Sequence, residues 1–218
     1  MHVLIVTAHP ESQSLTHSIA ARVAKGIVLG DSASVVEVAN LAQEAFNPCF
    51  TEADLQVHRH KASPPLDVQR EQARIERADT LILVYPTYWW SMPALLKGWI
   101  DRVFSNGWAF DFDPEGSLTK KLGKLSVHLI GIGGADPLTY ERHGYGTAMK
   151  TQMDQGIFGY CGAEVHISKL LLNSENSGAV HALEMAEQLG RIISSEASPS
   201  TADTESLYYR EHAGPNLK

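Results

Sequence analysis

The 218-residue chain is poor in cysteine and in positive charge, and it lacks long apolar runs. Its two cysteines, Cys49 and Cys161, stand far apart and form neither a Cys-x-x-Cys pair nor a metal-ligand spacing. A disulfide framework and a zinc module are thereby excluded, and two reduced thiols of a cytoplasmic protein are expected. No segment reaches the roughly 20 apolar residues of a membrane helix, and the opening "MHVLIVTAHP" has no basic leader. The formal charge is -7 and the pI about 5.8. Such a surface argues against nucleic acid or membrane insertion, so a bound phosphate would depend on local donors. The glycine motifs of nucleotide sites, G-x-x-x-x-G-K-[ST] and G-x-G-x-x-G, are both missing. The ten histidines fall in no metal spacing, "HRH" at His58 to His60 reads as an exposed loop, and no metal is expected.

What is present is an alternation of strand-like and helix-like runs. Val3 to Thr7, Ala33 to Leu41, Asp79 to Pro86, Lys124 to Gly134 and Ala163 to Leu172 read as strands. The first and third are nearly uniform in apolar content, as in parallel strands covered on both faces. Helical spacing marks Leu15 to Leu29, Leu66 to Ala78, Met92 to Phe104, Tyr145 to Cys161 and Glu175 to Ser195. Ala42 to Pro65 is an irregular excursion with room for a short helix at "TEADLQVHRH". The pattern predicts an α/β fold: a doubly wound five-stranded parallel sheet, flavodoxin-like, in order 2-1-3-4-5 with helices on both faces. One domain, residues 1–197, is expected, followed by a polar tail at 198–218.

In such sheets the ligand sits at the carboxyl ends of the central strands, where three loops are expected. "HPESQSLT" puts Ser14 and Thr16 at a helix start, fit either for a plain helix cap or for an anion. "PTYWWS" puts Trp89 and Trp90 after the strand-ending Pro86, as core or interface rings or as walls for a flat cofactor. "GIGGADPLTYERHGYG" supplies glycines for close backbone approach, with Tyr140, His143 and Tyr145 as polar groups. Together they describe a pocket for a phosphate, a flat ring and the ring's polar edge, which a flavin satisfies. Trp99 and Trp108 read as interface or pocket-wall residues, and Lys97 and Arg102 as a solvated or interface face.

The run "YPTYWWSMPALLKGWIDRVFSNGWAF" resembles the NAD(P)H:quinone oxidoreductases of flavodoxin-like fold, DT-diaphorase and its bacterial relatives. That family also includes the ancillary flavoproteins of glutathione-gated potassium efflux systems. "AHPESQSLT", "FNP" at Phe46 to Pro48, Gly133–Gly134 and "YCG" at Tyr160 to Gly162 extend the resemblance to about Leu172. It implies FAD or FMN, NADPH or NADH as hydride donor, a quinone or similar acceptor served in ping-pong fashion, and a homodimer. Carried over by residue, His9, Ser14, Leu15 and Thr16 form the phosphate and ribityl loop. Pro86, Thr87, Tyr88, Trp89 and Trp90 form the ring loop. Gly131, Gly133 and Gly134 form a backbone wall, and Tyr140 matches the active-site tyrosine. The family's histidine has no direct counterpart: Tyr145 follows Gly144 and His143 precedes it, so either is the expected proton donor. The longer C-terminal portion of the animal enzymes has no counterpart here. A regulator of a potassium efflux system and a flavodoxin-type electron carrier are the alternative functions.

Overall fold

Five parallel strands form the central sheet of the computed structural model, which describes residues 1–113, 115–174 and 178–196. In chain order the strands are β1 (His2–Thr7), β2 (Val35–Asn40), β3 (Thr80–Pro86), β4 (Phe110–Phe112), β5 (Leu118–Lys120), β6 (Ser126–Ile132) and β7 (Glu164–Leu171). The sheet runs β2-β1-β3-β6-β7, the expected 2-1-3-4-5 order once the separate β4–β5 hairpin is set aside. Every residue of β3 is buried, which explains its unbroken apolar run. Three-residue strands such as β4 and β5 carry no readable periodicity, so the hairpin had no sequence signal.

α1 (Leu15–Gly30) and α7 (Gly178–Glu196) cover one face. Gly26 and Gly190 let them cross backbone to backbone: a Cβ on Gly26 would overlap the Glu187 carbonyl, and one on Gly190 the Val23 carbonyl. The other face is covered by α3 (Leu66–Glu76), α4 (Ala94–Val103), α6 (Tyr145–Lys150) and a π-helical segment, Thr151–Gly159. Tyr145 to Cys161, expected as one α-helix, therefore changes its winding midway. Gly156 and Gly159 suit the wider turns, since a Cβ there would stand 3.3 Å from the Thr151 carbonyl and 3.1 Å from that of Asp154.

Within the excursion, α2 (Glu52–His58) starts on a capping box: Asp54 N–H donates to Thr51 Oγ1, and Thr51 N–H donates to Asp54 at 2.8 Å. The excursion is tied down by Arg102, whose side chain is only 4% exposed. Arg102 donates to both Asp54 carboxylate oxygens at 3.1 Å, to Asp67 at 2.6 Å and to the Asn47 carbonyl at 2.7 Å. Arg102 is thus no solvated face. Trp99 is likewise core, fully buried and donating to Glu71 at 2.8 Å. His58 ends α2 half-buried and only His60 of the "HRH" run approaches an acid, Asp111 at 3.5 Å. A further helix, α5 (Pro137–His143), replaces most of the expected third loop; Asp136 caps it, accepting from Thr139 N–H at 2.9 Å, and Pro137 opens it. Residues 175–177, expected to begin the last helix, and the 198–218 tail lie outside the described residues. Among the described residues no helix is long and apolar enough to cross a membrane.

Candidate functional site

The register sets the site's edge. Thr7 ends β1 beside Val84, and Pro86 ends β3 beside Ile132 of β6. The loops leaving β1, β3 and β6 therefore emerge side by side, next to the β1–β3 switch point where open α/β sheets place ligands.

The β3 loop is a tight turn. Thr87 N–H donates to the Ile132 carbonyl at 2.7 Å, and Tyr88 and Ser91 exchange backbone hydrogen bonds at 3.0 and 3.1 Å. Between them, Trp89 and Trp90 both have positive φ, 49° and 55°. Such two-residue turns normally take Asn-Gly or Gly, and each bulky side chain held there costs about 1–3 kcal/mol. The turn thrusts Trp89 outward, 88% exposed. Trp90 lies back against Tyr145, ring centroids 4.0 Å apart and planes 25° from parallel.

The β6 loop makes the opposite wall. A Cβ on Gly133 would stand 2.9 Å from the Tyr140 hydroxyl and 3.0 Å from Leu172, so a side chain there would push on the tyrosine that edges the cavity. Gly133 N–H is committed to the Leu171 carbonyl at 3.0 Å, whereas Gly134 is exposed and its N–H has no partner among the described residues. Tyr140, on α5, is 6% exposed. Burial raises its pKa, and the nearby Thr87 hydroxyl pulls part of the way back, so the phenol stays protonated at neutral pH. Thr87 Oγ1 is itself buried and lacks a partner at hydrogen-bonding geometry. Thr87, Tyr88, Trp89, Trp90, Gly133, Gly134, Ala135 and Tyr140 enclose a cavity of about 350 Å³. Four clefts are larger: about 630 Å³ at the amino ends of β3 and β6, about 690 Å³ between β2 and α3, about 600 Å³ between the excursion and the segment after α4, and about 370 Å³ between α6 and β7. None of the four is lined by the three loops.

The β1 loop stands beside this cavity. Ser14 is the N-cap of α1, accepting from His17 N–H at 3.4 Å and meeting His17 Nδ1 at 2.9 Å. The cap leaves the first two helix amides, Leu15 and Thr16, without an intrahelical acceptor, the usual donor pair for an anion. His9 Nδ1 accepts from Glu11 N–H at 3.1 Å, and its ring stands edge-on to His17, centroids 6.3 Å apart. His17 went unnoticed in the sequence, yet its Nε2 is buried without a partner. The available signal was a histidine three residues after a capping serine.

The remaining candidates stand off the cavity. Pro86 and Gly131 lie inside buried strands; Gly131 makes room for Leu170, which a Cβ would approach to 2.8 Å. Tyr145 lies behind Trp90, and the exposed His143 stacks on the far side of Tyr145, centroids 5.2 Å apart. Ala135 joins the lining without any sequence signal.

The family described as having a flavodoxin-like fold matches residues 1–192. A Haemophilus influenzae protein named an uncharacterized NAD(P)H oxidoreductase is 33% identical over 165 residues, 75% of this chain and 80% of its own. The human ribosyldihydronicotinamide dehydrogenase [quinone] is 35% identical over 147 residues, 57% of this chain and 62% of its own. Among solved structures, an NAD(P)H:quinone oxidoreductase from Methanothermobacter marburgensis superposes with a TM-score of 0.80 at 25% identity, covering 88% of this chain and 96% of that one. An FMN-dependent NADH-azoreductase from Bacillus anthracis, in complex with FMN, gives 0.68 at 15% identity over 89% and 98% of the two chains, a likeness of fold alone. The chain belongs to the flavodoxin-like fold family, with NAD(P)H:quinone oxidoreductases among its relatives.

Proposed function

We propose that the cavity holds the ring of a flavin, FAD rather than FMN, and that the protein reduces a quinone or similar acceptor with NADH or NADPH. The observation that carries this is the joining of an indole wall, a backbone wall and a buried hydroxyl edge in one cavity of about 350 Å³. Thr87 Oγ1, buried without a partner at hydrogen-bonding geometry, and the exposed, uncommitted Gly134 N–H are both free to bond such a ligand. When bound, a flavin supplies two-electron chemistry, hydride uptake from a reduced nicotinamide and hydride delivery to a quinone in turn.

The protein's part is position and field. Trp89 and Trp90 flank the ring and shed water from it, and the Leu15 and Thr16 amides with Ser14 and His9 receive the phosphate end. The excursion from Ala42 to Pro65 leaves β2 at the same edge of the sheet as that loop and is long enough to help hold an adenosine, which favours FAD. The Tyr140 hydroxyl, kept neutral by burial, donates to negative charge on the ring's edge, and Gly134 N–H adds a second donor. Gly133, expected to share that task, has its amide already engaged. His143 and Tyr145, the expected proton donors, reach the cavity only by moving from their stacked positions. We take the functional unit to be a homodimer, a reading that the 88% exposure of Trp89 supports.

The purified protein should be yellow, and heat should release FAD that chromatography identifies. It should consume NAD(P)H with a quinone and no separate reductase, unlike an electron carrier. Tyr140→Phe should lower turnover by up to about 100-fold with the flavin retained. Colourless protein that takes up neither FAD nor FMN would refute the assignment.

A further inference from the structure

We infer that Tyr145 is a positioning residue: it clamps Trp90 and thereby fixes the indole wall of the cavity, and its hydroxyl is not the working part. The inference rests on the function proposed above. Trp89 and Trp90 occupy a turn whose left-handed backbone disfavours large side chains. Such a turn persists only where its surroundings over-determine it. The backbone supplies the paired Tyr88–Ser91 bonds. A side-chain tie comes from Ser91 Oγ, which bonds Gln152 Oε1 at 3.1 Å, linking the turn to the π-helical segment.

The closest ring contact comes from Tyr145. It stacks on Trp90 with centroids 4.0 Å apart and planes 25° from parallel, while His143 backs it at 5.2 Å and 26°. Tyr140 completes the arrangement edge-on, 6.1 Å from Tyr145. Three rings thus pack on Tyr145, one of which carries the hydroxyl of the site itself. Its face, not its oxygen, is in use: among the described residues the Tyr145 hydroxyl makes no hydrogen bond. The chain around it is shaped for this placement. Gly144 takes φ 67°, turning α5 into α6 so that His143 and Tyr145 come face to face. No Cβ contact within 4 Å accounts for Gly144, so it is the left-handed turn and not packing that asks for glycine there.

The test uses the full-length protein with its tryptophans labelled with nitrogen-15, the Trp90 indole resonance being assigned by Trp90→Phe. In flavin-free protein, Tyr145→Leu should shift and broaden the Trp90 resonance and leave that of buried Trp99 in place, which also reports an intact fold. Loading with FAD should then show dissociation about two- to tenfold faster, the size of one lost aromatic stack. Tyr145→Phe should restore both the resonance and the slow dissociation. An unmoved Trp90 resonance in Tyr145→Leu would overturn the clamp. So would a Tyr145→Phe protein that matches Tyr145→Leu, or one that loses turnover with Trp90 undisturbed, since the hydroxyl would then be the part that matters. If wild type takes up no flavin, the proposed function fails while the flavin-free resonances still decide the clamp.

Discussion

The two faces of the sheet are built from different materials. The core under α1 and α7 is built from Val, Ile, Leu and Ala with no Phe, Tyr or Trp, and two glycines bring the helices into backbone contact. The core under α3, α4, α6 and the π-helical segment holds Tyr85, Trp99, Phe104, Tyr140 and Phe158, and beside it Arg102 is buried with its acids. Aliphatic packing closes a surface and offers no chemistry. Aromatic side chains bury area yet keep polar tips and flat faces, so the cavity with its indole wall and tyrosine edge grows out of the second face.

That contrast can be tested at its strongest point first. Arg102→Met would leave the Asp54 carboxylate, 2% exposed, buried without its cation. The expected loss is about 3–5 kcal/mol in urea denaturation. A loss below about 1 kcal/mol would mean that the polar cluster does not anchor the excursion.

The aliphatic face has its own exception, His128, which alternates with Val127 and Leu129 and so points to the α1–α7 side. It is 2% exposed, its Nδ1 has no partner, and burial, helped by His166 nearby, depresses its pKa from 6.5 to about 4. The unfolded chain therefore takes up this proton first as pH falls. Stability is fully present above about pH 6.5 and is lost from there down to about pH 4, by about 3 kcal/mol at most. His128→Leu should flatten the melting temperature across that window; an unchanged slope would show that His128 does not titrate as a buried neutral group.

The smallest expected effect concerns the helix crossing. Gly26→Ala should cost about 1–3 kcal/mol by forcing α1 off Glu187. The Trp90 indole resonance should not change, because the ring cavity is lined from the β3 and β6 loops and α5 and not from α1. A moved Trp90 resonance in this variant would show that the two faces are coupled and erase the distinction drawn between them.

The strands were legible because burial on both faces leaves uniform apolar runs, as Thr80 to Pro86 shows. The aromatic turn was legible as an oddity: Trp89 and Trp90, soon after a strand-ending proline, read as core or interface rings until their place beside the other two loops pointed to a flat ligand. Other features were less visible. The α5 helix had its signals, Asp136 and Pro137, but neighbouring glycines made the segment read as a loop. Arg102 looked solvated because its acids, Asp54 and Asp67, lie 48 and 35 residues away in the chain.

The chain's own pattern determined the alternation of strands and helices, the order of the sheet and the edge at which a ligand would sit. Those follow from local periodicity and from the handedness of crossover connections, which act on neighbours in sequence. Only tertiary structure decided that Gly133 N–H is spent on Leu171, that His17 ends in an orphaned nitrogen and that Tyr145 presents a ring and not a hydroxyl. Each depends on a few tenths of an ångström between groups whose meeting no local pattern encodes.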